Sequence, residues 1–219
     1  MTRTEELLDL TKTIAAELFT GKERPWEVLP DIKDFILGLG PTLSEDEFDH
    51  PSDDVWIAKG VKVFPTAYIA GPCIIDKDAE IRQCAFIRGS AIIGKNCVVG
   101  NSTEIKNAVL FDNVQVPHFN YVGDSVLGYK AHMGAGAVTS NVKSDKSLVV
   151  VKDGAERFET GRKKFGAILG DNVEVGCNSV LNPGTVIGRG ASIYPTSCVR
   201  GVIPAGHIYK SAVNIVERE

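Results

Sequence analysis

From Ile57 onward every sixth residue is apolar: Val63, Ile69, Ile75, Ile81, Ile87, Ile93, Val99, Ile105 and Phe111 follow in register. Four residues after each, from Ile57 to Ile105, comes a small or β-branched residue: Val61, Ala67, Cys73, Ala79, Ala85, Ala91, Cys97, Thr103, Val109. A helix repeats near 3.6 residues and a strand near 2, so a period of six belongs to neither alone. A short strand closed by a tight turn satisfies it, and three such units make a triangular coil of about 18 residues. The aliphatic position fills the interior, and the small residue fits a cramped corner. The series returns as Leu169, Val175, Leu181, Ile187, Ile193 and Val199. Several members are followed by glycine (Gly94, Gly100, Gly170, Gly176, Gly188), where a positive φ at the turn is expected. The pattern predicts an all-β fold, a parallel β-helix of about seven coils over residues 55–205. Its coils stack about 4.8 Å apart.

The flanking segments read differently. Residues 2–20 place Leu7, Leu10, Ile14 and Leu18 at helical spacing, with Thr2 and Glu5 as a capping box. A second helix is expected over 26–38, after Pro25 and stopped by Gly38 and Gly40. The run SEDEFDHPSDD at 44–54 reads as an acidic linker. Residues 1–54 are therefore expected to form a helical cap and linker, covering unpaired strand edges at the open end of the β-helix. An arm packing on a neighbouring subunit is the alternative. Residues 206–219 read as a C-terminal tail. Within the β-helix, residues 143–164 interrupt the repeat. There LVVVKDGAERFET carries strand-like runs around Asp153-Gly154, a hairpin turn signal. A hairpin projecting from one corner is expected, either a lid or a surface loop.

A further break falls between Phe111 and Leu127, whose separation is not a multiple of six. Pro117 removes a ladder donor. The coil is therefore expected to turn irregularly around residues 117–120 and to re-aim His118 along the surface into a cleft. A purely structural turn is the plain alternative.

Composition narrows the function classes. The chain has 219 residues, a formal charge of −4 and 43% hydrophobic residues, which fits one domain. The mild acidity argues against nucleic acid as a partner but leaves room for a local cationic pocket. Five cysteines without paired spacing argue against a disulfide framework and for a reducing compartment. No apolar run is long enough to span a membrane. The start MTRTEELLDLTK is too charged for a signal peptide, so a cytoplasmic protein is expected.

The aliphatic-Gly-x-x-x-x pattern resembles the hexapeptide-repeat acyltransferases, which fold as left-handed parallel β-helices. The blocks GNSTEIKN (100–107), HFNYVGD (118–124) and MGAGAVTSN (133–141) resemble one branch more specifically. It is the acetyltransferase domain of the bifunctional N-acetylglucosamine-1-phosphate uridyltransferase/glucosamine-1-phosphate acetyltransferase. The similarity covers about residues 69–141 and 164–200 and keeps the spacing of the blocks.

The resemblance implies acyl transfer from acetyl-CoA, as co-substrate and without a metal, to the amine of glucosamine 1-phosphate, in a homotrimer whose sites lie between adjacent prisms. It implies His118 as general base, since an imidazole titrates near neutrality, with Glu104 holding the amine or orienting the base. It implies Arg88 and Lys106 as phosphate ligands, the guanidinium bidentate and the ammonium a point charge. Tyr121 and Lys164 would contact the sugar phosphate, and His132 stands near the sugar where the family has asparagine. Ala135 would polarise the thioester carbonyl through its backbone N–H. Asn141 and Cys177 fall on the acetyl-CoA side. The chain departs from the family at His132 and at Val142, where the family has tyrosine. No obvious arginine for CoA phosphates follows Ile203, Lys210 being the nearest substitute. The uridyltransferase domain and its Gly-rich nucleotide loop have no counterpart here, so nucleotide-sugar synthesis is not expected.

Two other classes compete. One is a non-catalytic sugar-phosphate or nucleotide-sugar binding or regulatory protein on the same fold. The other is a zinc hydratase, which needs three converging histidines; the spacings of His50, His118, His132 and His207 do not resemble such a site.

Overall fold

The computed structural model describes residues 2–218. Two-, three- and four-residue strands alternate with turns and wind into the three-sided parallel β-helix that the period predicts. One face stacks Lys62–Val63, Glu80–Ile81, Val98–Asn101, Gln115–His118, His132–Met133, Glu174–Val175, Ser192–Ile193 and His207–Ser211 in order. That is eight parallel strands, so the stack runs slightly longer than about seven coils. The inward residues Ile75, Ile81, Ile87, Ile93, Val99 and Ile105 are fully buried.

The glycines after the aliphatic positions serve a different purpose from the one expected. Gly94, Gly100, Gly170 and Gly176 are not in the left-handed region. Instead the next coil passes too close for a side chain. A Cβ on Gly94 would lie 2.7 Å from the Asp112 nitrogen, one on Gly170 2.8 Å from the Arg189 nitrogen, and one on Gly100 would overlap the Pro117 carbonyl. The left-handed residue comes two positions later and is polar: Asn96 (φ 55°), Ser102 (54°), Asn172 (58°) and Asn178 (55°). Asparagine is among the few residues whose side chain tolerates that conformation.

The register breaks at another corner than Pro117. Val116 pairs with Val99 and His118 with Asn101, without a slip. The lost residue lies between the pairs Ile105–Ile87 and Ala108–Ala91, at Asn107. Asn107 (φ 49°) and, one coil on, Asp124 (φ 50°) each turn the corner alone. The chain therefore runs as seven-residue strands, Glu104–Leu110 and Tyr121–Leu127, across two faces. Leu110, not Phe111, pairs with Ile93 and continues the interior series. The 143–164 insertion leaves from this same corner after Asn141.

The N-terminal segment is not one helix. Among the described residues only Thr4–Leu7 and Ile32–Leu39 are α-helical, joined by 3-10 turns at Leu10–Lys12, Ala16–Phe19 and Pro25–Val28. Glu6, rather than Glu5, accepts the N-terminal hydrogen bond, from the Arg3 nitrogen. The segment lies along one face of the prism instead of over its end. Leu7 and Asp9 bond Asp171 (2.9 and 2.8 Å), the Lys12 carbonyl accepts from Asp112 (2.9 Å), and Phe19 meets Phe111 edge-on at 5.6 Å. It then runs back toward the first coils, where the Leu29 carbonyl accepts from Asn107 (3.2 Å). Beneath it, the outward residues Ile74, Ile92, Val109, Val126, Ile168 and Val186 are all fully buried. The open ends are closed by antiparallel strands: Phe48–Ser52, inside the expected linker, pairs with Val55–Ala58, and Asn214–Glu217 pairs with His207–Ser211.

The insertion forms the expected hairpin, Val150–Asp153 against Glu156–Glu159, turning at Gly154 (φ 57°). It folds back rather than projecting. Val149 and Val151 are fully buried, and the Phe158 ring lies 6.3 Å from Trp26.

Asp171 clips the N-terminal segment to the prism. It accepts from Asp9 and Tyr129 backbone nitrogens (both 2.8 Å) and pairs with Arg189 at 3.2 Å. Asp171→Ala should cost about 2–4 kcal/mol, because two N–H groups lose a charged acceptor. Chemical denaturation measures this, and a loss below half a kcal/mol would show the clip to be idle.

Candidate functional site

The site begins on the outer surface of the face formed by the first halves of Glu104–Leu110 and Tyr121–Leu127. Strand alternation turns Ile105 and Val122 inward, so Glu104, Lys106 and Tyr121 face outward. Register stacks Glu104 on Phe86 and Tyr121 on Glu104. Arg88, two residues past Phe86, donates from Nη1 to Glu104 Oε1 at 2.6 Å. That hydrogen bond, then the charge of Glu104, holds the guanidinium even more firmly protonated than usual.

Asp124, absent from the expected site residues, organises the adjoining corner. Its carboxylate is 2% exposed. It accepts from Lys106 Nζ (3.1 and 3.2 Å), Asn107 Nδ2 (3.0 Å) and Asn141 Nδ2 (2.5 Å). Asn141 Nδ2 also reaches the Tyr121 hydroxyl at 3.1 Å. Asn141 therefore joins the Arg88–Lys106–Tyr121 group. Burial first, then the charges of Asp124 and Glu104, push the Tyr121 phenol upward, so it stays neutral. A Cβ on Gly123 would run into the Tyr121 hydroxyl; glycine there lets the ring fold over the strand.

Beside Lys106 and Asp124 opens a cleft of about 570 Å³. The N-terminal segment contributes Lys33 to it, and the end of the insertion contributes Arg162, Lys163 and Lys164. Lys164 shares this cleft with Lys106 and is held by a backbone bridge to Val142. Lys33, Arg162 and Lys163 escaped sequence reasoning because they come from segments outside the repeat.

A second group lines the neighbouring corner. His118 is exposed, next to Phe119 in the left-handed region (φ 53°). Asn120, 2% exposed, pins this turn: its Oδ1 accepts from the His118 nitrogen (3.1 Å) and its Nδ2 donates to the Gly134 and Ala137 carbonyls (2.8 and 3.0 Å). The Gly136 nitrogen donates to the His118 carbonyl, and the Asn178 nitrogen to the Ala135 carbonyl. His118, Ala135 and Cys177 consequently follow one another along the corner from coil to coil, and Cys177 is an exposed free thiol. The Asn120 carbonyl accepts from the Glu104 nitrogen at 2.9 Å, which ties this corner to the first group.

His132 does not join either group. It lies on the face of Gln115–His118, level with Gln115 and short of the His118 corner, with Nδ1 2.8 Å from Glu174 Oε2. Among the described residues no three His, Cys, Asp or Glu side chains converge as a metal site. Among the described residues no helix is long and apolar enough to cross a membrane.

The family model of the GMPPB C-terminal domain matches residues 69–187, more than half of the chain. The chain belongs to that family. It is also 31% identical over 98% of its length to the bifunctional protein GlmU of Methanococcus vannielii, and 34% identical over 65% of its length to a bifunctional sugar-1-phosphate nucleotidylyltransferase/acetyltransferase of Sulfurisphaera tokodaii. It spans 53% of the first of these proteins and 40% of the second. Among solved structures, the acetyltransferase domain of PglB from Neisseria gonorrhoeae in complex with acetyl coenzyme A is similar at 16% identity, with a TM-score of 0.35, over 75% of this chain and 57% of that one. The family region contains every expected site residue.

Proposed function

We propose that the chain is an N-acyltransferase that moves an acetyl group from acetyl-CoA to the amine of an amino-sugar phosphate such as glucosamine 1-phosphate. The observation that carries this reading is the clustering of Arg88, Glu104, Lys106, Tyr121 and Asn141 on one surface, beside a cationic cleft and next to the exposed His118. The phosphate would settle among Arg88, Lys106 and Lys164. Glu104, freed in part from Arg88 by the incoming phosphate, would accept a hydrogen bond from the amine. His118 would take the proton as the amine attacks the thioester carbonyl. The backbone N–H of Ala135 would receive the developing oxyanion. The likeness to relatives named as sugar-1-phosphate nucleotidylyltransferase/acetyltransferases supports this reading. Its test is thiol release from acetyl-CoA with glucosamine 1-phosphate present; no turnover across amino-sugar phosphates would remove it.

A homotrimer belongs to this proposal, because the site as described is open on its outer side. Light scattering should return three chains per particle at micromolar concentration. A stable monomer would contradict a site shared between prisms.

Arg88→Ala should weaken sugar-phosphate binding at least tenfold without lowering the melting temperature, since the side chain is exposed and its partners are the half-buried Glu104 and the exposed Phe86 ring. Calorimetry with glucosamine 1-phosphate measures this; an unchanged affinity would take Arg88 out of the pocket.

A second reading, a binding or regulatory protein without transfer, draws on one observation. His132, at the position where the resemblance implies an asparagine beside the sugar, is tied to Glu174 and stands apart from Arg88, Lys106 and Tyr121. Sugar-phosphate binding without turnover would favour it.

A further inference from the structure

A second cationic cleft opens farther along the same corner, between the hairpin and the coil turns at 182–184 and 200–201. Its volume is about 300 Å³. Lys143, Lys152, Arg157 and Arg200 supply its positive charge, against the single carboxylate of Glu159.

The fold explains how these cations come together. In the hairpin Val151 pairs with Phe158, and both turn toward the core, where Val151 is fully buried and Phe158 meets Trp26. Strand alternation then sends Lys152 and Arg157, themselves directly paired, to the opposite side and into the cleft. The hairpin is pressed against the prism. A Cβ on Gly184 would stand 2.7 Å from Val149 Cγ1, and one on Gly201 3.1 Å from the Lys152 carbonyl. Arg200 lies on the coil beneath.

This arrangement works against the hairpin's own stability. Like charges directly opposite in an antiparallel pair are destabilising. Lys143 has a neighbouring carboxylate in Asp145 at 3.6 Å. Lys152, Arg157 and Arg200 form no ion pair within 4 Å among the described residues, Glu159 included. A docked hairpin that holds unpaired cations against more cations is a scaffold suited to an anion. The charges come from both hairpin strands, which lie about 4.8 Å apart, and from the coil beneath, a span wider than one phosphate group.

We propose that this cleft binds the diphosphate of a nucleoside diphosphate. Two sources share that chemistry: the acyl-CoA donor, through its adenosine diphosphate end, and a nucleoside-diphosphate sugar. Only the naming of these sources rests on the acyl-transfer reading; the cleft stands on its own geometry. It is distinct from the Lys106–Lys164 cleft and uses none of its residues.

The test is calorimetry of the intact protein with CoA, ADP, UDP and GDP, repeated on the double variant Lys152→Ala/Arg157→Ala and on Glu159→Gln. At least one probe should bind, the double variant should weaken it by about tenfold for each cation removed, and Glu159→Gln should tighten it. Thermal unfolding of the double variant should not fall, because a like-charge pair has been removed. CoA binding at least tenfold tighter than ADP, UDP or GDP identifies the donor. UDP or GDP binding tighter than CoA identifies a nucleotide sugar. Absence of binding by all four probes, or equal affinity in the double variant, overturns the proposal. Glucosamine 1-phosphate binding, measured in parallel, reports on the other cleft, so a failure here is distinguishable from a failure of the proposed acyl transfer.

Discussion

His118→Ala should lower kcat by about 10²- to 10⁴-fold, the usual share of a general base, while sugar-phosphate affinity stays within about twofold. The split between rate and binding follows from the geometry. The proposed phosphate ligands Arg88 and Lys106 are anchored to Glu104 and Asp124, and none of these contacts passes through the histidine ring. The His118 backbone is held by Asn120 and Gly136, so the truncated side chain leaves the turn in place. A folding defect is therefore not expected, and an unchanged melting temperature checks it. If the variant keeps full turnover, the histidine only decorates the corner. If both kcat and binding collapse together, the turn rather than the ring is what matters, and Asn120→Ala should reproduce the loss.

Trp26→Ala should destabilise the chain by about 3–5 kcal/mol, the range for deleting a large buried aromatic side chain. Trp26 is 3% exposed and sits where three parts of the chain meet. Its ring lies 6.3 Å from Phe158 of the hairpin and 5.8 Å from Phe165, which leads back into the prism. Arg24 covers the hairpin side, with its guanidinium carbon 4.4 Å from the Phe158 ring centroid. Removing the indole leaves a cavity that these rings cannot fill without moving the hairpin. Thermal and denaturant unfolding should both show the loss, and Trp26→Phe should recover part of it. A variant less than about 1 kcal/mol below the parent would mean that the N-terminal segment and hairpin dock independently of this contact.

The interior of the prism was legible because its period is local. Each inward Ile or Val recurs six residues after the last, and each tight corner constrains residues close in sequence. The hairpin was legible for the same reason, since Asp153-Gly154 marks a turn between two strands that pair with each other. The blocks around Glu104, His118 and Asn141 were legible by resemblance, and they do lie on neighbouring corners of adjacent coils. The register break was misplaced. Proline is the conspicuous breaker in the sequence, yet the chain shortens at Asn107 and Asp124, two polar residues able to turn left-handed alone. A polar residue after a glycine or lysine looks like any surface position until its coil is aligned with the next.

By itself the sequence determined the parallel β-helix, the order of its coils and the residue types at each corner, because these depend on contacts within one coil and the repeat of the next. Only the tertiary structure decided where the N-terminal segment goes. The outward residues Ile74, Ile92, Val109, Val126, Ile168 and Val186 form a fully buried apolar stripe that recurs once per coil. A second face carries Lys62, Glu80, Gln115, His132 and Glu174 at the equivalent positions, and the third carries Tyr68, Phe86, Glu104, Tyr121 and Val138, none of them buried. That stripe must be covered, and covering it brings Lys33 beside Lys106, Lys163 and Lys164. These side chains converge through burial of apolar surface between distant segments, a force that no local spacing records.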